Sequence, residues 1–413
     1  MKVPDSFDLI VIGGGAAGFF GAINAATNNP QLNILILEKT NKLLSKVRVS
    51  GGGRCNVTHH CFEPTPLSKH YPRGQRELKK LFRTFQAKDV VAWFDNRGVE
   101  LKTEEDGRMF PITNQSETII DCFLSEAYRL NINIERNAEV INVKSEKDGF
   151  LITVADQKKY RSKKILIANG GVPKRSAYQW IVKLGHSLVD PIPSLFTFND
   201  SLNKFKDLMG VSVENATAQI VGTKFKESGP VLITHWGLSG PAVIKLSAWA
   251  AEYLFKKNYE FVVLVNWTGQ NSEDEVRALL SSYRMEHPKQ KIIGHVLFGL
   301  PNRLWVRLCV LSDIDDAKIW GELPKKNLNR LIENLVRCEF RIKGKTTFKE
   351  EFVTCGGVSL DEIDLNNMES KIVPGIYFAG EVLNFDGETG GFNFQSAWTT
   401  AFVAAQAIAN AED

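Results

Sequence analysis

Long hydrophobic runs are missing from this chain. None approaches the roughly 20 consecutive apolar residues of a membrane-spanning helix, so a bilayer span is excluded and no membrane partner is expected. The first residues lead straight into an apolar strand, without the basic segment, apolar stretch and cleavage site of a secretory leader. A cytoplasmic location is therefore expected. Cysteine is scarce and scattered, at Cys55, Cys61, Cys122, Cys309, Cys338 and Cys355, and no C-x-x-C pair occurs. That pattern excludes a disulfide framework or a zinc site, and reduced thiols with no metal centre are expected. An excess of one charge is also lacking: the net charge of +4 is too small to imply a nucleic-acid partner by itself. No internal repeat or low-complexity tract stands out.

What is present is concentrated at the start. The apolar run Asp8-Leu9-Ile10-Val11-Ile12 reads as a buried strand and feeds into Gly13-Gly14-Gly15-Ala16-Ala17-Gly18, a Gly-x-Gly-x-x-Gly turn. A helix-forming stretch follows, then a second apolar run, Asn33-Ile34-Leu35-Ile36-Leu37, closed by Glu38. Together these make the dinucleotide-binding fingerprint in its strand–turn–helix–strand setting. Gly13 permits the tight turn, Gly15 lets backbone approach a pyrophosphate, and Gly18 lets helix and strand pack closely. The helix N-terminus offers unpaired N–H groups and partial positive charge to phosphate. Glu38 is placed to accept hydrogen bonds from the adenosine ribose and to repel a 2′-phosphate. Contacts to the dinucleotide are expected at Gly13, Gly15, Ala16, Ala17, Gly18, Glu38, Lys39 and Val140.

At 413 residues, two or three structural units are expected. Helical patterns fall at Gln75–Arg97 and Ser116–Arg129, and a hairpin-like region near Ile134–Val154 precedes the buried strand Lys164-Ile165-Leu166-Ile167-Ala168, which ends at Gly170-Gly171. The character changes after Pro191-Ile192-Pro193. Strand-like alternation appears at Ser212–Val221 and Phe261–Asn266, followed by a lysine-rich helical segment from about Ser272 to Arg337. The α/β pattern returns near Val373–Glu381, and a helix of small residues, about Phe394–Ala411, closes the chain. The expected organisation is an α/β dinucleotide-binding domain over 1–190 and 351–413. An inserted domain over 191–350 interrupts it, β-rich over 191–270 and helical over 271–337.

The C-terminal segment favours FAD over NAD. Gly375-Ile376-Tyr377-Phe378-Ala379-Gly380-Glu381 is an apolar strand ending in a small residue and a carboxylate, followed by Gly390-Gly391-Phe392-Asn393 and a helix. Gly380 allows close backbone approach, and Glu381 can hydrogen-bond a polyol such as ribitol. The helix N-terminus favours the negative charge that develops at one edge of a reduced flavin. Gly380, Glu381, Gly391, Phe392 and Asn393 are therefore candidate FAD contacts. No second Gly-x-Gly-x-x-Gly follows a strand, so NAD(P)H, as the reductant, must dock without a Rossmann domain of its own.

Five segments carry a family resemblance: Ser50-Gly51-Gly52-Gly53-Arg54-Cys55-Asn56-Val57-Thr58; Glu104-Glu105-Asp106-Gly107-Arg108-Met109-Phe110-Pro111; Thr234-His235-Trp236-Gly237-Leu238-Ser239-Gly240-Pro241; Thr354-Cys355-Gly356-Gly357-Val358; and Met368-Glu369-Ser370-Lys371 through Asn393. With them the chain resembles, along nearly its whole length, the YhiN/BaiN-like family of FAD-dependent oxidoreductases, also described as aminoacetone-oxidase-like. The resemblance implies a glutathione-reductase-type FAD-binding Rossmann domain interrupted by a β-barrel-like unit and a helical unit. It also implies reduction of C=C bonds, either in small organic substrates or in a uridine of ribosomal RNA. One departure is local. Members often carry a Gly-Ser-Thr-Gly-Asp-Gly type loop after Gly170-Gly171, where this chain reads Val172-Pro173-Lys174-Arg175-Ser176-Ala177-Tyr178-Gln179. Flavin-edge or substrate contacts there are expected to differ.

Three glycines at 51–53 let backbone press against a planar ring, so Ser50, Gly51, Gly52 and Gly170 are further candidate FAD contacts. Lys46 and Arg54 are candidates to neutralise phosphate or an anionic flavin, and Asn56 to hydrogen-bond the ring. His235 is the candidate proton donor, set against a structural histidine bonding its own loop. Arg108 is a candidate anchor for an anionic substrate, set against a structural ion pair. Cys55 raises a thiol–disulfide reductase reading, although C-x5-C to Cys61 is not the spacing of glutathione-reductase-like enzymes. Arg76, Lys79, Lys80 and Arg83 recur at helical spacing and form a basic stripe, read either as a solvated face or as facing nucleic acid; Lys325, Lys326 and Arg330 form a weaker cluster. A binding module with structural FAD is the remaining alternative.

Overall fold

The computed structural model describes residues 5–269, 271–346 and 353–410. The expected boundary at 350–351 and the expected helix end at Ala411 lie outside the described residues. Two compact units are present: Met1–Ser194 with Lys349–Asp413, and Leu195–Phe348.

The first unit is built on a nine-stranded sheet. Its parallel heart runs, in spatial order, Ile376–Phe378, Lys159–Ile167, Asp5–Ile12, Ile34–Leu37 and Asn133–Glu135. Leu9, Ile10, Val11, Ile34, Leu35, Ile36 and Leu37 are all buried, which is why these strands read as continuous apolar runs rather than alternating ones. Register is fixed by pairs such as Ile12 with Leu37 and with Ile167, and by Phe378 with Ile167. The strand from the far end of the chain thus pairs directly into the N-terminal sheet. A hairpin, Val140–Glu146 with Gly149–Val154, joins the sheet through Lys159–Ile167. Leu188–Ser194 pairs antiparallel with Val353–Val358.

Helix Ala16–Asn28 packs along helix Phe392–Asn410, brought close by small residues: a methyl group on Gly21 would lie 3.7 Å from the Ala401 Cβ. An aromatic cluster fills the space beneath, with Phe20 at 4.6 Å from Trp93 and 5.2 Å from Trp398, centroid to centroid. Rings offset and tilted in this way add modestly to the burial of large apolar surface.

The second unit contains a closed six-stranded barrel, ordered Thr197–Asp200, Gly237–Ser239, Lys226–Ile233, Ser212–Ile220, Glu260–Asn266 and Cys338–Thr346. Three helices, Glu273–Glu286, Asn302–Leu311 and Lys325–Val336, share its core through Leu280, Leu304, Trp305 and Leu331. The fold class is the one expected, a Rossmann-type α/β domain with an inserted barrel and helices.

Several local expectations are corrected. The pattern over Gln75–Arg97 is two helices, Gln75–Leu81 and Ala87–Asp95. The Asp89 carboxylate accepts from Gln86 N–H at 2.8 Å, which starts the second helix afresh and leaves Arg83 in the turn between them. The helical stretch from Ser272 is three helices with connections rather than one continuous pattern. The glycine-rich loop expected from Ser50 is present: Ser50, Gly51 and Gly52 leave helical geometry, the two glycines with φ of 59° and 68°.

Candidate active site

The carboxyl ends of the parallel strands in the first unit converge on one place. Beyond Ile12 comes the Gly13–Gly18 turn, beyond Ile167 the turn Ala168–Gly171, and beyond Phe378 the turn Ala379–Glu381. Crevices outside the carboxyl ends of such strands are where open α/β sheets bind ligands. Gly18 is required by packing, because a methyl group there would sit 1.9 Å from the Gly13 carbonyl oxygen. Gly15 differs: a methyl group would meet nothing within 4 Å, so its face is open at the start of helix Ala16–Asn28. No acidic side chain stands in the first turn of that helix, which leaves its N–H groups and dipole available to an anion. Gly380 has φ of +76°, and a methyl group on it would lie 2.8 Å from the Ala17 Cβ. The two glycine turns, at opposite ends of the sequence, therefore touch.

Glu38 is held by its own surroundings: Gly14 N–H donates to one carboxylate oxygen at 2.9 Å, and Thr40 N–H and Oγ1 to the other at 2.9 Å. Ala138 N–H donates to the Glu38 carbonyl at 2.8 Å, which brings the strand begun by the buried Val140 beside this turn. Lys39 is exposed.

Glu381 is placed by two contacts. Thr354 N–H donates to it at 2.8 Å, and Lys46 Nζ lies 2.5 Å from its other oxygen. A methyl group on Gly171 would fall 2.7 Å from the Thr354 side chain and 2.8 Å from the Glu381 carboxyl carbon. Lys46, Gly171, Thr354 and Glu381 thus form one cluster. Gly170 has an open face, with nothing within 4 Å of a methyl group there.

A second wall comes from Gly51–Thr58 and the start of helix Phe392–Asn410. With its amide assigned to satisfy both ends, Asn56 accepts from Gly391 N–H at 3.0 Å and donates to the Thr58 carbonyl at 3.1 Å. Thr58 Oγ1 donates to Gln395 at 2.6 Å, and Trp398 Nε1–H to the Val57 carbonyl at 2.9 Å. The loop before the helix is clamped as well. Asn393 exchanges hydrogen bonds with the Gly387 backbone at 2.9 Å each way. Buried Asp386 is bonded by Arg73 and by Ser194 Oγ at 2.8 Å; burial pushes its carboxyl above the usual range while Arg73 opposes the shift.

Four sequence candidates turn out to be committed to the protein itself. Arg54 donates to Glu104 at 2.6 Å and stacks on Phe110 at 4.0 Å from the ring centroid, so its charge is engaged. Arg108 pairs with Asp106 at 2.6 Å and Glu104 at 3.2 Å, the structural alternative for this residue. Asn393 serves its own loop. Cys55 is fully buried, and burial pushes its thiol up to about 12. Thiolate, not thiol, is the attacking species, so a redox relay through Cys55 is disfavoured. His235 belongs to the second unit, exposed and edge-on to Trp236 at 4.2 Å. Tyr178 secures the atypical 172–179 loop by accepting from Val172 N–H at 2.9 Å.

Sequence reasoning missed His70 and Glu388, 318 positions apart and 3.1 Å apart in space. No spacing signal links them; only the fold does.

The residues fit a flavin dinucleotide. Asn169 Oδ1 and Thr354 Oγ1 are buried beside the converging turns without a hydrogen-bond partner among the described residues, and buried polar atoms of that kind call for one. The open faces of Gly15 and Gly170 and the lysine–carboxylate pair suit phosphate and polyol. Among the described residues, no group of three or more His, Cys, Asp or Glu is placed to hold a metal, and no helix is long and apolar enough to cross a membrane.

Comparison with known proteins decides the family. The model of the HI0933-like protein Rossmann domain matches residues 7–407. The chain belongs to this family. The family expected from the motifs is the one found. A ribosomal RNA dihydrouridine synthase of Escherichia coli (strain K12) is 29% identical over 411 residues, covering 97% of this chain and 98% of that protein. A 3-dehydro-bile acid delta(4,6)-reductase of Clostridium scindens is 26% identical over 407 residues, again covering 97% and 98%. Among solved structures, a 3-ketosteroid delta1-dehydrogenase of Sterolibacterium denitrificans matches with a TM-score of 0.52 at 12% identity, over 98% of this chain and 99% of that one. That likeness shows the fold alone.

Proposed function

We propose that this HI0933-like family member is an FAD-dependent oxidoreductase that takes reducing equivalents from NAD(P)H and saturates a C=C bond conjugated to a carbonyl group. The observation that carries the reading is the meeting of both glycine turns, the Lys46–Glu381 pair and the N-terminus of helix Phe392–Asn410 at one end of one parallel sheet. When bound, FAD supplies two-electron hydride chemistry.

The chain's residues do the rest. The N-terminal turn and the start of helix Ala16–Asn28 take the pyrophosphate, and Glu38, beside Val140 and Lys39, takes the adenosine ribose. Glu381, held by Lys46, takes the polyol. Gly51, Gly52, Asn56 and Gly391 line the ring edge. Phe392 begins the helix whose dipole favours negative charge there.

The acceptor class is supported by the names of the two relatives. One reduces a uracil ring and the other a steroid-type C=C bond, and both reactions add a hydride and a proton across a double bond next to a carbonyl. A macromolecular acceptor is favoured over a small one by a specific observation. Arg76, Lys79 and Arg83 carry no carboxylate partner among the described residues, whereas most of this chain's arginines are paired. Arg76 and Lys79 lie on helix Gln75–Leu81 and Arg83 in the turn after it, and unpaired cations grouped in this way suit a phosphate backbone.

The test is reoxidation of dithionite-reduced holoprotein under argon. Unmodified ribosomal RNA transcript and 2-cyclohexen-1-one are offered separately, followed by analysis for dihydrouridine. Reoxidation by either acceptor supports C=C reduction, and a dependence on salt with the transcript alone supports RNA. Reoxidation by neither, with rapid reaction only with dioxygen, contradicts the reading.

A further inference from the structure

We propose that His70 is the acid–base group of this site and that Glu388 is its positioning residue. The proposal rests on the functional reading above. The two residues are joined twice. Glu388 N–H donates to the His70 carbonyl at 2.9 Å, and the His70 Nδ1 lies 3.1 Å from the Glu388 carboxylate. A carboxylate only accepts, so Nδ1 is the protonated nitrogen; this assignment follows from the partner's chemistry. The Glu388 side chain is 6% exposed and that of His70 33%. The imidazole is fixed in a second direction by Phe392, stacked at 4.1 Å and 11°. The Phe392 carbonyl in turn accepts from Tyr71 O–H at 2.6 Å. Segments 70–71 and 388–392 are therefore locked together immediately before the helix that begins at Phe392.

A buried carboxylate behind one ring nitrogen fixes the tautomer and leaves the other nitrogen to exchange protons. The His70 Nε2 has no hydrogen-bond partner among the described residues, and the side chain is partly exposed. The neighbouring histidine lacks this arrangement. His59, 4.8 Å from the same Phe392 ring, directs Nε2 at the Asp106 carbonyl at 3.0 Å and keeps Nδ1 buried without a partner. Burial lowers its pKa, disfavouring the protonated form.

The reaction needs such a group. Saturating a conjugated C=C bond breaks the π bond and forms two C–H bonds. The carbon remote from the carbonyl receives a hydride whose electron pair comes ultimately from NAD(P)H, which is oxidised to NAD(P)+. The carbon next to the carbonyl receives a proton. Protonated His70 delivers that proton, becomes neutral, and is recharged from water through Nε2. Glu388 holds the ring and stabilises its cation.

The test uses holoprotein carrying His70→Gln or Glu388→Leu, with two independent readouts. The first is the side-chain 15N NMR of the histidines at mildly alkaline pH, where His70→Gln identifies the resonance. The Nδ1–H tautomer in the wild type and its loss in Glu388→Leu are expected; an Nε2–H tautomer in the wild type overturns the dyad. The second is stopped-flow. His70→Gln is expected to slow reoxidation of dithionite-reduced protein by 2-cyclohexen-1-one about 100-fold and to abolish its solvent deuterium isotope effect, while reduction by NADPH changes less than about 3-fold. Unchanged reoxidation, or equal slowing of both half-reactions, overturns the acid–base role. A wild-type protein reoxidised by neither the enone nor the ribosomal RNA transcript refutes the functional reading, and the NMR result still decides the dyad.

Discussion

Gly15 and Gly18 stand three residues apart in one turn, yet replacing each by alanine has different consequences. At Gly15 the backbone is extended, with φ of −97°, and a methyl group meets nothing within 4 Å. Gly15→Ala therefore leaves the cofactor-free fold as stable as before, or stabilises it by about 0.5 kcal/mol through the less flexible unfolded chain. The methyl group does occupy the space over which a pyrophosphate must approach the helix N-terminus. Displacing that contact costs about 1–3 kcal/mol, so FAD affinity falls roughly 5- to 150-fold at about 1.4 kcal/mol per decade. At Gly18 the methyl group would sit 1.9 Å from the Gly13 carbonyl oxygen. Relief requires the helix and turn to separate by about 1 Å or more, an overpacking that costs about 1–3 kcal/mol of stability and also moves the phosphate-binding N–H groups. Urea unfolding of FAD-free protein, paired with fluorescence titration of FAD, separates the two. Equal FAD affinity for Gly15→Ala and the wild type would refute the placement of the pyrophosphate, whatever the stabilities.

Other expectations follow from named contacts. Gly380→Ala introduces a methyl group 2.8 Å from the Ala17 Cβ at a φ of +76°; a loss of about 1–3 kcal/mol in urea unfolding is expected, together with weaker FAD retention on gel filtration. Cys55, held at about 12 by burial, has a thiolate fraction of about 10⁻⁴ at pH 8. Iodoacetamide should leave Cys55 unmodified in native protein while labelling the half-buried Cys61, and mass spectrometry reports the order. The Glu126 carboxyl is held below the usual range, first by the hydrogen bond from Arg129 and then by Arg97. A depressed folded pKa contributes stability above the unfolded value and loses it as pH falls through the folded one. Glu126→Gln should therefore narrow the difference in urea midpoint between pH 7 and pH 3, and an unchanged difference would count against the pairing.

Local chemistry was legible and distant pairing was not. The Gly13–Gly18 turn and Glu38 could be read because each glycine acts on atoms a few residues away or on the next strand. Gly380 and Glu381 were legible as a strand end, but their contacts with Ala17 and Lys46 came only with the fold. The apolar spacing of Leu78, Leu81, Phe82 and Phe85 continues through a helix break, because the turn buries the same face that a helix would. Breaks between Ser272 and Arg337 were signalled by Pro288, Gly299, Pro301 and Pro324, a signal the periodicity obscured. Arg54 looked free because its partner Glu104 lies 50 positions away in the sequence. His70 looked ordinary because its partner Glu388 lies near the other end of the chain.

The most direct test of the central claim is an anaerobic absorbance spectrum of purified protein, before and after addition of NADH or NADPH. The account predicts a flavin spectrum, release of FAD rather than FMN on denaturation at about one per chain, and bleaching within seconds by one of the two nucleotides. A protein that carries no flavin and takes up none when FAD is added would contradict it.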